Sequence, residues 1–313
     1  VLFRSLVLFV HHLARSIVAD TMIDRVGMAL DRAIDQYLPE RREQDPAAGG
    51  PLARNTGVPL SSEHGGYVQV MNYDKLLAAA VDADAMIELD VRAGHHLLEQ
   101  GIYGWIAPPS ALTENVRAEI ENSILVGKER TVVQDVEYSV RQLVEIALRA
   151  LSSGVNDPYT ALAAIDRLAL SLGRVLEHGP PQVVWRGEDG KVRLAAPGSE
   201  FEGILDVAYT QIRQVAGDNA AILIRLAEKL GQLAHQADHR QCITISKHLN
   251  LVLSAGRRNL PERADQAVLE QRVEAALNAC RAKAAGESEP KRDPRVRRDT
   301  SHAPPQRPGP APR

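Results

Sequence analysis

What this chain lacks narrows its reading first. It has no uninterrupted run of the ~20 apolar residues that a bilayer-spanning helix needs. The most apolar stretch, Val1–Val10, is broken by Arg4 and is too short to cross by itself. No small-residue cleavage site follows it, so it does not read as a signal peptide. Cysteine is scarce: Cys242 and Cys280 are the two present, both in helical patterns, which excludes a disulfide framework and points to a reducing compartment. Aromatics make up 4% of the 313 residues, and with Ala, Leu and Arg abundant this favours helices over sheets. Neither sign of charge dominates. A net charge of −3 and the absence of a basic face interleaved with aromatics leave no expectation of nucleic-acid binding. There is no glycine-rich phosphate loop, nucleophile elbow or dinucleotide fingerprint, so common nucleotide and hydrolase chemistries are unsupported. No metal or cofactor site is predicted either. His235 and His239 have the i,i+4 spacing of a helical metal site, but a metalloprotease would carry Glu where Gln236 stands, and the segment reads as a helix junction. The His95–His96 pair reads as part of a solvated turn.

What is there centres on residues 130–161, RTVVQDVEYSVRQLVEIALRALSSGVNDPYTA. Val133, Val136, Val140, Val144, Ala147 and Leu151 recur at three- and four-residue steps and predict one buried helix face. Glu137, Arg141, Glu145 and Arg149 alternate in sign at i,i+4 on the other side and read as a solvated ladder. Ser152, Ser153 and Gly154 predict a stop, with Gly154 taking the left-handed conformation. Asn156 or Asp157 can then cap a second helix whose first position is Pro158, where a missing N–H costs nothing. A helix hairpin is expected, its second arm running to about Glu177. Within it stands a dense set of polar residues: Arg130, Gln134, Asp135, Tyr138, Asn156, Asp157 and Thr160. Three roles are open to this set: a buried network that fixes helix register, a ligand or anion site at the start of the Pro158 helix, or catalysis by Asp135 or Asp157.

The same stretch resembles the signature of a bacterial family of predicted membrane proteins, domain of unknown function 2254. HHLARSI at 11–17 and GGYVQVM at 65–71 are similar to further blocks of that family in the same order, so the resemblance covers roughly residues 6–255. One departure is Ser153, where the family pattern has Pro; this loosens the turn and leaves its Gly and cap in place. The resemblance implies membrane helices ahead of this chain, and opening on Val and not Met agrees with a piece of a longer protein. Leu6–Val10 would then be the end of the last membrane helix, and attachment would run through those preceding helices. The implied location is the bacterial inner membrane, with this portion in the cytoplasm, and self-association is an open expectation. No activity comes with the resemblance.

The remaining chain predicts a mainly α protein with a small β-rich module, a helical bundle following a long N-terminal helix. A helical period over residues 1–38 gives that first helix; 39–57 is rich in Pro, Gly and charge and reads as a linker. Alternation at Tyr67, Gln69 and Met71, at Ile87, Leu89 and Val91, and over Ile102–Ile106 predicts a β-rich module at 58–108, with a short helix capped by Asn72. Residues 109–285 read as an α-helical bundle, with helices at 219–236, 240–256 and 261–285, the last begun by Asn259 and Pro261. Ser199 and Glu202 have capping-box spacing. Asp189–Gly190 marks a hairpin near 182–196, expected to lie alone on the surface. Residues 286–313, with seven basic and four acidic residues, cannot bury enough apolar surface to order themselves. Two functions follow: a membrane-tethered domain without chemistry, acting in sensing, assembly or interaction, or an enzyme or ligand-binding domain using the polar cluster.

Overall fold

The computed structural model of the chain describes residues 2–38, 53–179 and 183–284. The linker up to residue 52 and the tail at 286–313 lie outside them. Helix α1 (Leu2–Tyr37) opens the chain. Among the described residues no helix is long and apolar enough to cross a membrane. Strands β1 (Val58–Ser61) and β2 (Gly66–Met71) follow, then α2 (Tyr73–Asp82), whose cap Asn72 accepts from the Lys75 N–H as the sequence predicts. Strands β3 (Met86–Leu89), β4 (His96–Leu97) and β5 (Ile102–Ala107), helix α3 (Glu114–Asn122) and strand β6 (Ile124–Gly127) complete the first β-rich segment.

Helices α4 (Val136–Ala150) and α5 (Pro158–Glu177) form the expected hairpin, with two local differences. Asp135 caps α4, so the helix starts three residues after Val133, whose side chain is exposed. The left-handed residue of the turn is Asn156 (φ 47°) and not Gly154; an Asn tolerates that region because its short polar side chain bonds locally. Asp157 N–H then donates to Ala150 O at 2.8 Å and closes the turn. After α5 come β7 (Val184–Arg186), β8 (Val192–Ala195), α6 (Phe201–Val215), α7 (Ala220–Gln236), α8 (His239–Asn259) and α9 (Arg263–Ala284). The Ser199–Glu202 capping box does not form; Glu200 precedes α6 without a side-chain cap bond. Asn259 ends α8 and does not begin α9.

The protein is mainly α with a small β module. Two apolar cores account for this. In the bundle, Leu30 and Ile34 of α1, Leu143 of α4, Ile165 and Leu168 of α5, Tyr209 of α6, Leu226 of α7, Ile245 of α8 and Leu269 of α9 belong to one buried cluster. In the module, Leu60, Met71, Leu76, Ile87, Ile106 and Ile120 form a second. Each such Leu or Ile contributes about 1.5–3 kcal/mol by leaving water.

The module draws on more of the chain than its own segment. Its larger sheet has the order β1-β5-β3-β8-β7, and its smaller sheet β4-β2-β6. The hairpin expected to stand alone therefore joins a sheet: β8 runs parallel to β3, with Ile87 opposite Leu194. Leu194 is fully buried in the module core. Beside it the buried Arg193 bonds Asp189 at 2.9 Å and pairs with Asp84 at 2.7 Å, so charge and packing both fix the hairpin to the module.

Helix α1 lies against α4 and α5. Asp31 receives Arg167 Nη2 at 2.6 Å and the Ser171 hydroxyl at 2.7 Å, and Asp35 pairs with Arg174. Gly27 makes this approach possible, because a Cβ there would come within 2.0 Å of Arg167 Nε.

Leu168 sits at the middle of α5 and is fully buried. Leu168→Ala should lower unfolding free energy by about 2–5 kcal/mol, the transfer loss plus a cavity, as read by urea denaturation; a loss under about 1 kcal/mol would contradict this placement in the bundle core.

Candidate functional site

The first four polar residues of the predicted set meet where the β module joins the start of α4. Residues 128–135 leave β6 and turn into the helix, and Asp135 is buried at that turn with no exposure. Its Oδ1 accepts the Tyr138 N–H at 2.9 Å, satisfying a free donor of the first helical turn. Its Oδ2 accepts from Arg130 Nε at 2.8 Å and Nη2 at 2.6 Å. Both oxygens are thus bonded within the chain. Arg130 also lies over the Tyr138 ring, 5.3 Å from its centroid. Gln134 Oε1 accepts the Met71 N–H at 2.8 Å and its Nε2 donates to Met71 O at 3.1 Å, so its amide continues the hydrogen bonding of β2 beyond the sheet.

Four residues outside the predicted set, Arg92, Gly94, His95 and Glu137, complete this junction. Gly94, at φ +91°, is pressed so close that a Cβ would stand 2.1 Å from Asp135 Oδ2; both its conformation and this approach require glycine. Arg92 Nη2 donates to Glu137 Oε1 at 2.5 Å, and its Nη1 to Ala93 O at 3.3 Å. Glu137 is therefore held by the module and is not part of a solvated ladder; only Glu145 and Arg149 keep that arrangement, 3.8 Å apart and exposed. His95 lies in the same corner and is half-buried rather than solvated. Burial and then the Arg92 charge hold its imidazole below the usual range, with Asp135 opposing.

The other three predicted residues are elsewhere. Asp157 Oδ1 accepts the Thr160 N–H at 3.2 Å and Oδ2 the Thr160 hydroxyl at 2.7 Å. Of the two capping candidates Asp157 is therefore the one used, and Asn156 supplies the left-handed turn. This group sits beyond the far end of α4, whose 15 residues span about 22 Å at ~1.5 Å per residue. The two carboxylates do not share a site. At the other predicted junction, Asp238 caps α8 in a capping box with Gln241, between His235 of α7 and His239 of α8.

Beside the first group lies a cleft of about 540 Å³. The end of α1 lines one side through Gln36 and Tyr37, with Leu38 just after it, and the module lines the other through Tyr73, Arg92 and Trp185, with Gln134 and Val136 between. Tyr73 and Trp185 are stacked, centroids 4.6 Å apart and 14° from parallel. Burial raises the Tyr73 hydroxyl above its ordinary range, with Arg92 opposing. Sequence reasoning missed Arg92, Gly94, His95 and Trp185 as parts of this corner. The run Arg92–Ala93–Gly94–His95 signals a turn, but nothing local says that it meets a helix 45 residues on.

A family model described as predicted membrane protein (DUF2254) matches residues 1–232. Uncharacterized proteins of Mycobacterium bovis (Mb1321c) and Mycobacterium tuberculosis (Rv1290c) are each 30% identical over 273 residues, covering 85% of this chain and 52% of the relative. The chain spans about half the length of these curated relatives. No solved structure matches.

Two stability outcomes follow from the two carboxylates. Asp135→Asn deprives Arg130 of its charge partner and should cost about 3 kcal/mol, the low end for breaking a buried pair because Arg130 keeps some access to water. Asp157→Ala should cost about 0.5–2 kcal/mol through the lost cap, whereas Asp157→Ser should keep most of it. Denaturant unfolding of the three variants checks both; equal stability of Asp157→Ala and the parent chain would refute the capping assignment.

Proposed function

We propose, since this chain belongs to the DUF2254 family of predicted membrane proteins, that it is a non-catalytic sensing domain attached to the membrane by helices preceding α1. The observation that carries the reading is the state of the two candidate carboxylates. A general acid or base must reach the proton it moves; Asp135 is fully buried with both oxygens bonded, and Asp157 is spent on a helix cap at the other end of α4. That geometry supports the non-catalytic reading over an enzyme using both carboxylates together. The cleft remains, open between module and bundle.

Its position supports sensing. The residues on its bundle side lie at the end of α1, and α1 is clamped on α5 by Asp31 and Asp35. An occupant of the cleft would touch the end of the helix whose other end points toward the family's membrane part, so occupancy and membrane state would be linked through one rigid element. In this reading the domain faces the cytoplasm from the bacterial inner membrane, and pairing of two copies is one way such a signal could be read.

The test uses the full-length protein in a deletion strain. Asp157→Ser should complement fully, because Ser caps nearly as well as Asp, and the protein should sediment with membranes after a carbonate wash. Loss of complementation by a stably folded Asp157→Ser protein would restore the catalytic reading, and recovery in the soluble fraction would overturn membrane attachment.

A further inference from the structure

We propose that the cleft between α1 and the β module takes a flat ring bearing an anionic group, with the ring against the Tyr73–Trp185 pair and the anion on Arg92. The inference rests on the sensing reading above and names its ligand class.

Size comes first. A cleft of about 540 Å³ falls within the ~300–1,000 Å³ typical of small-molecule sites, and its lining is polar and apolar in nearly equal part. Aromatic residues are the second observation. The chain has two Trp and seven Tyr, yet one Trp and two Tyr line this single cleft. Tyr73 and Trp185 pack against the module core on one side, but both remain half-buried rather than sealed. Their near-parallel stacking offers a flat surface that a third ring can extend, since offset stacking is favoured between π-faces.

Charge decides the rest of the ligand. Arg92 lines the cleft with 14% of its side chain exposed. Glu137 occupies Nη2 and Ala93 O receives Nη1, which leaves further donors of the five that a guanidinium carries. The other charged side chain of the lining is Asp74, which is exposed, where solvent screens it. Glu137 already pairs with the Arg92 guanidinium at 2.5 Å, so an anion inside the cleft meets its remaining N–H donors in a partly desolvated place, while an organic cation finds no carboxylate in the lining apart from the exposed Asp74. The ring and the anion are both needed: stacking alone does not choose a charge, and Arg92 alone does not choose a shape.

The experiment is a titration of the full chain carrying Trp105→Phe, so that Trp185 is the one fluorophore. The probes are adenosine monophosphate and nicotinate as flat anions of two origins, adenosine as a flat neutral ring, inorganic phosphate, and tetramethylammonium. Saturable quenching by either flat anion is expected, and which of the two binds tells a nucleotide from an aromatic carboxylate. Adenosine and phosphate should bind at least about tenfold more weakly than the better flat anion. Arg92→Lys keeps a charge for Glu137 but not the planar fork, and should weaken that anion by about tenfold or more. Trp185→Phe, followed by calorimetry, should retain binding, and Trp185→Leu should lose it, with melting curves to show that both fold. Saturation by tetramethylammonium in place of the flat anions, or by none of the probes, overturns the ligand class. Neither result touches the complementation and membrane-fractionation outcomes, so this proposal can fail while the sensing reading stands.

Discussion

The buried pair of Asp135 and Arg130 is the constraint from which the rest of the junction follows. A carboxylate removed from water needs a partner of opposite charge and full hydrogen bonding, or the site costs several kcal/mol. Asp135 meets both needs at once by taking Arg130 on one oxygen and the first turn of α4 on the other. That requirement places Gly94 against the pair, since no residue with a Cβ fits. It also aims Gln134 at the end of β2 and Glu137 at Arg92. The β module thus meets the bundle at the N-terminus of α4, as well as through the β7–β8 hairpin that runs between α5 and α6.

The cleft is a by-product of that join. Two bodies with separate apolar cores meet there, bridged by the Arg92–Glu137 and Gln134–Met71 hydrogen bonds. Its walls come from α1, from β2 and α2, from the Arg92 turn and from the hairpin strand β7. Trp185 reaches it because β8 pairs with β3 and carries β7 to the sheet edge.

The matched family model ends within α7, at residue 232, and so takes in α1, the whole module, the α4–α5 hairpin and the cleft. Helices α8 and α9 follow that point and close the bundle, burying Ile245, Leu249, Leu269 and Val273. Cys242 and Cys280 belong to this closing layer, both buried as free thiols. Burial, with the neighbouring Cys280 adding to it, pushes Cys242 upward and keeps it a thiol rather than a reactive thiolate; its Sγ donates to Ala234 O at 3.9 Å.

Local pattern determined most of the helices, the α4–α5 hairpin and the cap Asn72, and narrowed the α5 cap to Asn156 or Asp157, because each depends on residues within a few positions of one another and on the 3.6-residue period; it placed residues 109–127 with the bundle, whereas α3 and β6 pack into the module through Ile120 and the β2 pairing. It also carried the mainly α class and the strands at Tyr67, Ile87 and Ile102. Tertiary structure decided the rest. Val133 has the right spacing for α4, but the cap at Asp135 cut the helix short. Glu137 has the spacing of a surface ladder, yet Arg92 captured it. Ser199 and Glu202 have capping-box spacing and make none. The seven polar residues look like one cluster along the chain and divide into two, since α4 holds its ends about 22 Å apart. The hairpin near Asp189 is legible as a hairpin, and its parallel partner β3 is not, because that pairing is recorded in the burial of Leu194 and the charge of Arg193 and in no local spacing.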